Sequence, residues 1–255
     1  MPPSARPIDH ALAADLAGRA ADLLLELRRQ LDVGHYDATY VRNAGDERSH
    51  ELLTRALAED CPDDVVLSEE AADDPARLTA ERVWIIDPLD GTREYGEPGR
   101  TDWAVHVALV MAGSPVAGAV ALPGLGLVLG TDPAPPPPPA WNGPVRLVVS
   151  RTRPPAAASF LAERLDADLV PMGSAGAKAM AVVLGEADVY VHSGGQYEWD
   201  SCAPVAVARA AGLHTSRIDG GPLVYNNPDP YLPDLLVCRR ELAGPVLEAL
   251  AEFRG

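Results

Sequence analysis

The chain has 255 residues, a formal net charge of −16, 47% apolar residues and 23% charged ones. These totals exclude a disordered chain and suit a soluble globular protein of one large domain or two small ones. The negative charge sets nucleic acid and anionic membranes aside as partners.

Residues 1–27, MPPSARPIDHALAADLAGRAADLLLEL, lack the basic flank and unbroken apolar core of a signal peptide, and no run reaches membrane-spanning length. Apolar positions at helical intervals predict helices over 8–31 and 45–60. Two short β-branched runs follow, DVVLSEE (64–70) and RVWIIDPLD (82–90), each predicted as a strand ending in an acidic loop. WAVHVALVMAG (103–113), PVAGAVALP (115–123) and GLVLGT (126–131) predict an antiparallel meander.

Five consecutive prolines in TDPAPPPPPAWNGP (131–144) cannot join a helix or a central strand, so this segment is expected to be a stiff extended connector. It divides an N-terminal α+β subdomain, 1–134, from a C-terminal α/β subdomain, 145–255; a long surface loop within one domain is the competing reading. After it, strands at VRLVVS (145–150), DLVPM (168–172), DVYVH (188–192) and LPDLLVCR (232–239) alternate with helices. Those helices are PPAAASFLAERL (154–165), GSAGAKAMAVVLGEA (173–187), WDSCAPVAVARAAG (199–212) and ELAGPVLEALAEF (241–253). Cys61, Cys202 and Cys238 are odd in number and form no close metal-type pair, which suits a reduced cytoplasm. Cys202 is expected to be a small buried residue.

The apolar run VWII ends in Asp87 and Asp90, three residues apart. Pro88 fixes one backbone angle, and Gly91 permits a turn that other residues resist. The pair is either an ordinary turn or a site where two carboxylates and the Leu89 carbonyl face a hard divalent ion such as Mg2+. Nothing nearby offers the His or Cys pattern of a zinc site. Glu69 and Glu70 follow a predicted strand and read either as a solvated loop or as further ligands. Asp200 reads either as a helix cap or as a ligand.

The ordered set VLSEE, DPLDGTREY, GSAGAKAMAVVLGEADVYVH and GGQYEWDSCAP resembles the inositol monophosphatase superfamily, and within it the CysQ-type 3′(2′),5′-bisphosphate nucleotidases. The resemblance spans nearly the whole chain. It implies a layered αβαβα sandwich of two subdomains and a magnesium-dependent phosphatase using two or more ions. The implied metal ligands are Glu69, Asp87, the Leu89 carbonyl, Asp90 and Asp200. Two-metal chemistry then activates a water and steadies the leaving oxygen. Thr92 and Asp46 are implied to orient that water, although Asn43 stands where the pattern of the family has threonine. Gly91 and Thr92 N–H groups are implied to contact the phosphate, with Glu69, Leu89, Asp90 and Asp200 also lining the substrate.

Ser174 and Lys178, the one lysine among 21 basic residues, lie four apart and are assigned to substrate binding, with Gly173 and Gly176 allowing close approach. His192 and Tyr197 flank the site in sequence and are candidates for shaping a base pocket. His106 reads as a satisfied strand histidine, and Arg93 and Glu70 as loop residues. The expected substrate is 3′-phosphoadenosine 5′-phosphate, cleaved to AMP. Inositol 1-phosphate or another sugar, cyclitol or nucleotide monophosphate is the alternative, and a non-catalytic nucleotide or metal sensor is the reading from another class. A homodimer is compatible with the resemblance.

Overall fold

Among the described residues, ten strands form two five-stranded sheets, and the order of layers follows from which strand faces are apolar. The structure, a computed structural model, describes residues 4–32, 34 and 37–253. The first sheet comprises β1 (Val65–Ser68), β2 (Val83–Asp90), β3 (Ala104–Met111), β4 (Ser114–Leu122) and β5 (Leu127–Gly130), in that spatial order. Its β1–β2 pair is parallel and the rest antiparallel, so the meander predicted over 103–131 forms. The second sheet has the order β7 (Asp168–Met172), β6 (Arg146–Ser150), β8 (Val189–Tyr197), β10 (Tyr231–Cys238), β9 (His214–Ser216).

Helices α1 (Pro7–Asp32) and α2 (Ala38–Asp60) cover one face of the first sheet, burying Trp84, Ile86, Val105 and Val107. Val83, Ile85, Ala108 and Val120 point the other way, into a layer made by α5 (Ala175–Val183) and α6 (Glu198–Ala210). The far side of that layer meets Tyr190, Leu235 and Val237 of the second sheet. Leu147, Val149, Val191 and Leu236 face outward onto α4 (Ala156–Leu165) and α7 (Ala243–Ala251). The result is the expected αβαβα sandwich. A strand buried on both faces reads as an unbroken apolar run, which is why 83–86 shows no alternation. A helix between two sheets has no solvent face, which is why α5 is small and buried along its whole length.

Several elements differ from the sequence expectation; β8 runs on to Tyr197 rather than ending at 192, and α5 spans Ala175–Val183 rather than 173–187. α2 starts at Ala38 rather than 45, because the Asp37 side chain caps it by accepting from the Tyr40 N–H at 2.9 Å. Asp46 therefore lies well inside a helix and is not a helix-start residue. β9, a three-residue edge strand, is too short to show a period.

The proline run joins neither helix nor strand. Arg239 ties it down by donating to the Pro139 carbonyl at 2.6 Å. Arg239 and Arg146 share Asp188, at 2.6 and 2.9 Å, and Asp188 is fully buried. Burial opposes the charge of Asp188, but the hydrogen bonds from both guanidinium groups outweigh it and hold its carboxyl below the usual range. The stability it contributes is present above the unfolded-state value of about 3.9 and is lost as pH falls through the lower folded value. Asp188→Asn leaves Arg239 buried without its counter-charge, an expected loss of about 3 kcal/mol by urea melt at neutral pH, shrinking as both proteins are taken below about pH 4.

Candidate active site

β2 delivers the two aspartates. In a regular strand residues 87 and 90 would point to opposite faces. Pro88 has no N–H for the ladder, and the β2–β3 register slips between Asp87 and Asp90. The slip turns both carboxylates to one side, where oxygens of Asp87 and Asp90 and a ring nitrogen of His106 lie within 4.8 Å of one another. Asp87 is 1% exposed and Asp90 7%. Gly91 follows at φ +86°, and a Cβ there would stand 3.0 Å from the Ser174 Cβ. That turn opens the short helix α3 (Thr92–Tyr95).

The other predicted acids converge on the same place. Glu69 sits one residue beyond β1 and within hydrogen-bond reach of Asp87. Its carboxyl is pushed up, first by desolvation and then by the charges of Asp200, Asp90 and Glu70. Asp200, in the first turn of α6, accepts from the Tyr197 N–H at 2.7 Å, so its helix-capping and site roles coexist. Burial and the neighbouring Asp90 raise it to about 6. Asp87 is raised well above the carboxylate range by burial and by Glu69, Asp90 and Asp200, against one opposing hydrogen bond from the Leu89 N–H at 3.1 Å. Asp46 reaches the cluster from α2: Thr92 Oγ1 bridges its Oδ1 at 3.2 Å and the Leu89 carbonyl at 3.1 Å. Burial and the repulsion of Glu70 push Asp46 up to about 7.

Asp90 is the exception. Burial alone would raise it, yet it is held below the usual range by His106, Lys178 and Ser174. It accepts from Ser174 Oγ, from the Ala175 N–H at 3.1 Å and from the Gly176 N–H at 2.6 Å, so it sits on the N-terminus of α5. Ser174 and Lys178 do not form an open surface pair. Ser174 caps α5 at φ +49°, and the Lys178 Nζ, on a side chain 6% exposed, donates to the Gly173 carbonyl at 3.2 Å and to the Ser174 carbonyl. Lys178 thus lies beneath the Ser174 turn, close enough to act electrostatically on Asp90 and Asp200.

His106 belongs to the site as well, although its sequence position reads as plain strand. It is fully buried, pairs with Asp87 across β2–β3, and places Nε2 at 3.3 Å from Asp90 Oδ2 and Nδ1 at 3.0 Å from the Trp199 carbonyl. Burial disfavours its charge, but the Asp90 carboxylate and the Trp199 carbonyl outweigh burial and raise its pKa. Gly176 makes room for it: a Cβ there would lie 2.0 Å from Nε2. Gly173 is equally tight, against Glu94 at 2.3 Å, and its N–H donates to Asp102 at 2.6 Å. Strand register and close approach are tertiary facts, so no local signal marks His106, Glu94 or Asp102.

Besides its contact with Glu69, the Asp87 carboxylate accepts from the Leu89 N–H and, with Glu69 and Asp200, meets more repulsion than attraction. An all-oxygen donor set with surplus negative charge fits hard divalent cations, which remove the repulsion.

Fold and site together define a metal-dependent enzyme class. The profile of the inositol monophosphatase family matches residues 7–131 and 145–252, and the chain belongs to that family. A 3′-phosphoadenosine 5′-phosphate phosphatase from Mycobacterium bovis is 51% identical over 246 residues, covering 91% of this chain and 90% of its own. Among solved structures, CysQ from Bacteroides thetaiotaomicron superposes with a TM-score of 0.77 at 25% identity over 91% of this chain and 97% of that one. An inositol monophosphatase from Zymomonas mobilis superposes with a TM-score of 0.77 at 22% identity over 98% and 100%.

Two substitutions separate the roles of the paired aspartates. Without divalent ions, Asp87→Asn removes an uncompensated charge and keeps the Leu89 contact, so its melting temperature is expected to rise. Asp90→Asn weakens the cap of α5 and strands His106, an expected loss of about 2 kcal/mol. Magnesium at a hundred times its dissociation constant should add about 2.7 kcal/mol to the parent protein and far less to either variant.

Proposed function

We propose that the chain is a magnesium-dependent phosphatase that removes the 3′-phosphate of 3′-phosphoadenosine 5′-phosphate, giving AMP and phosphate. The carrying observation is the convergence of Glu69, Asp87, Asp90 and Asp200 from β1, β2 and α6, with Asp46 and Thr92 hydrogen-bonded beside them. The substrate is read from the relative that is 51% identical and is named for that reaction. Glu69, Asp87, the Leu89 carbonyl, Asp90 and Asp200 would hold the ions. When bound, these would lower the pKa of an attacking water and offset charge on the phosphoryl group and leaving oxygen.

The remaining roles belong to side chains. Thr92, held between Asp46 and the Leu89 carbonyl, orients the nucleophilic water through its hydroxyl. Asp46, raised to about 7, is matched to receive a proton near neutral pH. Gly91 and Thr92 offer backbone N–H groups to a phosphate oxygen. Lys178 adds positive potential from below, and Ser174 fixes Asp90. Tyr197 is 43% exposed and stacks on Trp199 with ring centroids 4.8 Å apart, and Tyr231 packs edge-on at 5.9 Å. This aromatic group begins three residues from Asp200 and suits a purine base. Free cysteines, Cys202 and Cys238 among them buried, suit a cytoplasmic enzyme.

Phosphate release from a panel at equal concentration tests the substrate. The bisphosphate nucleotide should exceed inositol 1-phosphate in kcat/KM by roughly a hundredfold, the range that several specific contacts supply. Preference for the inositol ester would overturn the substrate, and tight nucleotide binding without turnover would favour a sensor. Asp46→Asn and Thr92→Ala should each lower kcat by roughly 10²-fold or more with little change in KM.

A further inference from the structure

Arg77 has no exposed surface, although the stretch 70–76 before it is exposed throughout. A buried guanidinium is costly unless its donors are paired. Its Nε and Nη2 take the Asp73 carboxylate at 2.5 and 2.8 Å, within its own loop. Its Nη1 crosses to the other half of the chain, donating to Asn226 Oδ1 and to the Asn227 carbonyl, both at 2.8 Å. Asn226 Nδ2 returns a bond to the Arg77 carbonyl at 2.9 Å.

The connection continues. The N–H groups of Asn226 and Asn227 donate to the two Glu198 carboxylate oxygens at 2.6 and 2.8 Å, and Asn227 Nδ2 donates at 2.7 Å. Glu198 is fully buried and opens α6, two residues before Asp200. The same 224–230 loop is pinned twice more to α6: the Glu198 N–H donates to the Pro230 carbonyl at 2.8 Å, and the Tyr225 hydroxyl meets Ser201 Oγ at 3.1 Å. Asn226 holds φ +61°, a left-handed conformation maintained by these bonds.

Glu69 rides on the exposed loop and Asp200 on the helix. On one side β1 anchors Glu69 through its pairing with β2 up to Ser68. On the other side the loop has little burial of its own, so Arg77 supplies the second anchor. We infer that Arg77, Asn226, Asn227 and Glu198 form a strap, buried at both ends, that sets the position of Glu69 relative to Asp200 and thereby the affinity of the site for divalent cations. These are positioning residues. The inference rests on the proposed cation ligands but not on the proposed substrate.

The test is calorimetric titration of magnesium into the full chain without substrate. Arg77→Lys keeps the charge and loses the fork; Asn227→Ala removes one side chain at the middle of the strap. Arg82→Lys perturbs a distant ion-pair group, with Asp9 at 2.8 Å and Asp64 at 2.9 Å, and is the comparison for general destabilisation. Both strap variants should raise the magnesium dissociation constant roughly tenfold or more, while Arg82→Lys lowers the melting temperature with the constant held within about twofold. The magnesium concentration for half-maximal activity should rise in parallel, with kcat largely recovered at saturating magnesium. Strap variants that melt lower but bind magnesium as the parent does would overturn the inference. Should Arg77→Lys fail to fold, Asn227→Ala alone decides it. A parent that binds no magnesium overturns the ligand assignment and the strap together, whereas a binding parent with unchanged variants overturns only the strap.

Discussion

Carboxylates gathered at one point, with Asp87 and Asp90 buried, Asp200 half-buried and Glu69 at the exposed rim, are the constraint on which the rest of the structure depends. Asp87, Asp90, Glu69 and Asp200 act on one another electrostatically, and like charges at short range oppose ionisation, most strongly at the buried Asp87. The protein resolves this unevenly. Asp90 receives the protein's own positive groups: the α5 N-terminus, the Ser174 hydroxyl, His106 and the field of Lys178. Asp87, Glu69 and Asp200 are left with a surplus that a bound cation would offset. One aspartate is thus a fixed part of the scaffold that also faces the site, and the others keep free lone pairs. On the proposed reading, an acid whose charge is already stabilised stays ionised before any ion binds, which would favour capture of the first.

That asymmetry explains the use of glycine around the site. Asp90 can lie on the α5 N-terminus only if β2 and α5 approach closely. Gly91, Gly173 and Gly176 occupy that seam, and a side chain at each would meet Ser174, Glu94 and His106 respectively. Gly91 additionally needs its left-handed φ of +86°. Ser174 has no such freedom yet holds φ +49°, with its hydroxyl both donating to Asp90 and accepting from the Ala177 N–H at 2.9 Å. Strain at that residue is maintained by the hydrogen bonds it makes.

Much of this was legible in the chain because its signals are local. Apolar runs bounded by Gly and Pro marked nearly every strand, and the acidic positions stood at strand ends or at a helix start, where side chains can converge. The apolar, β-branched run before Asp87 indicated a strand, and its burial on both faces emerged only with the second sheet and its helices. What stayed hidden depends on distance in sequence. His106 looks like any strand residue until the β2–β3 register sets it opposite Asp87. Lys178 is assigned with Ser174 to substrate binding, but its burial follows only from two sheets closing over α5. Arg77 sits in a loop whose composition reads as exposed, and only its partners at Asn226 and Asn227, about 150 residues away, reveal why it is buried.

The large net negative charge of the chain opposes an anionic substrate. The resolution lies in range. At physiological ionic strength, exposed charges more than about 8 Å apart are largely screened, so the acidic exterior acts weakly at the reaction centre. Inside the seam between the first sheet and the central helices, screening is poor, and each added cation is felt strongly by every neighbouring group. The sign of the potential there is therefore set by what the carboxylates hold, not by the sum over the surface. A protein can be acidic throughout and still bind phosphate, provided its buried acids are numerous enough to collect more positive charge than they carry. It follows that cation binding and phosphate binding are linked: a bound phosphate should strengthen the hold on the ions as much as the ions strengthen the hold on phosphate.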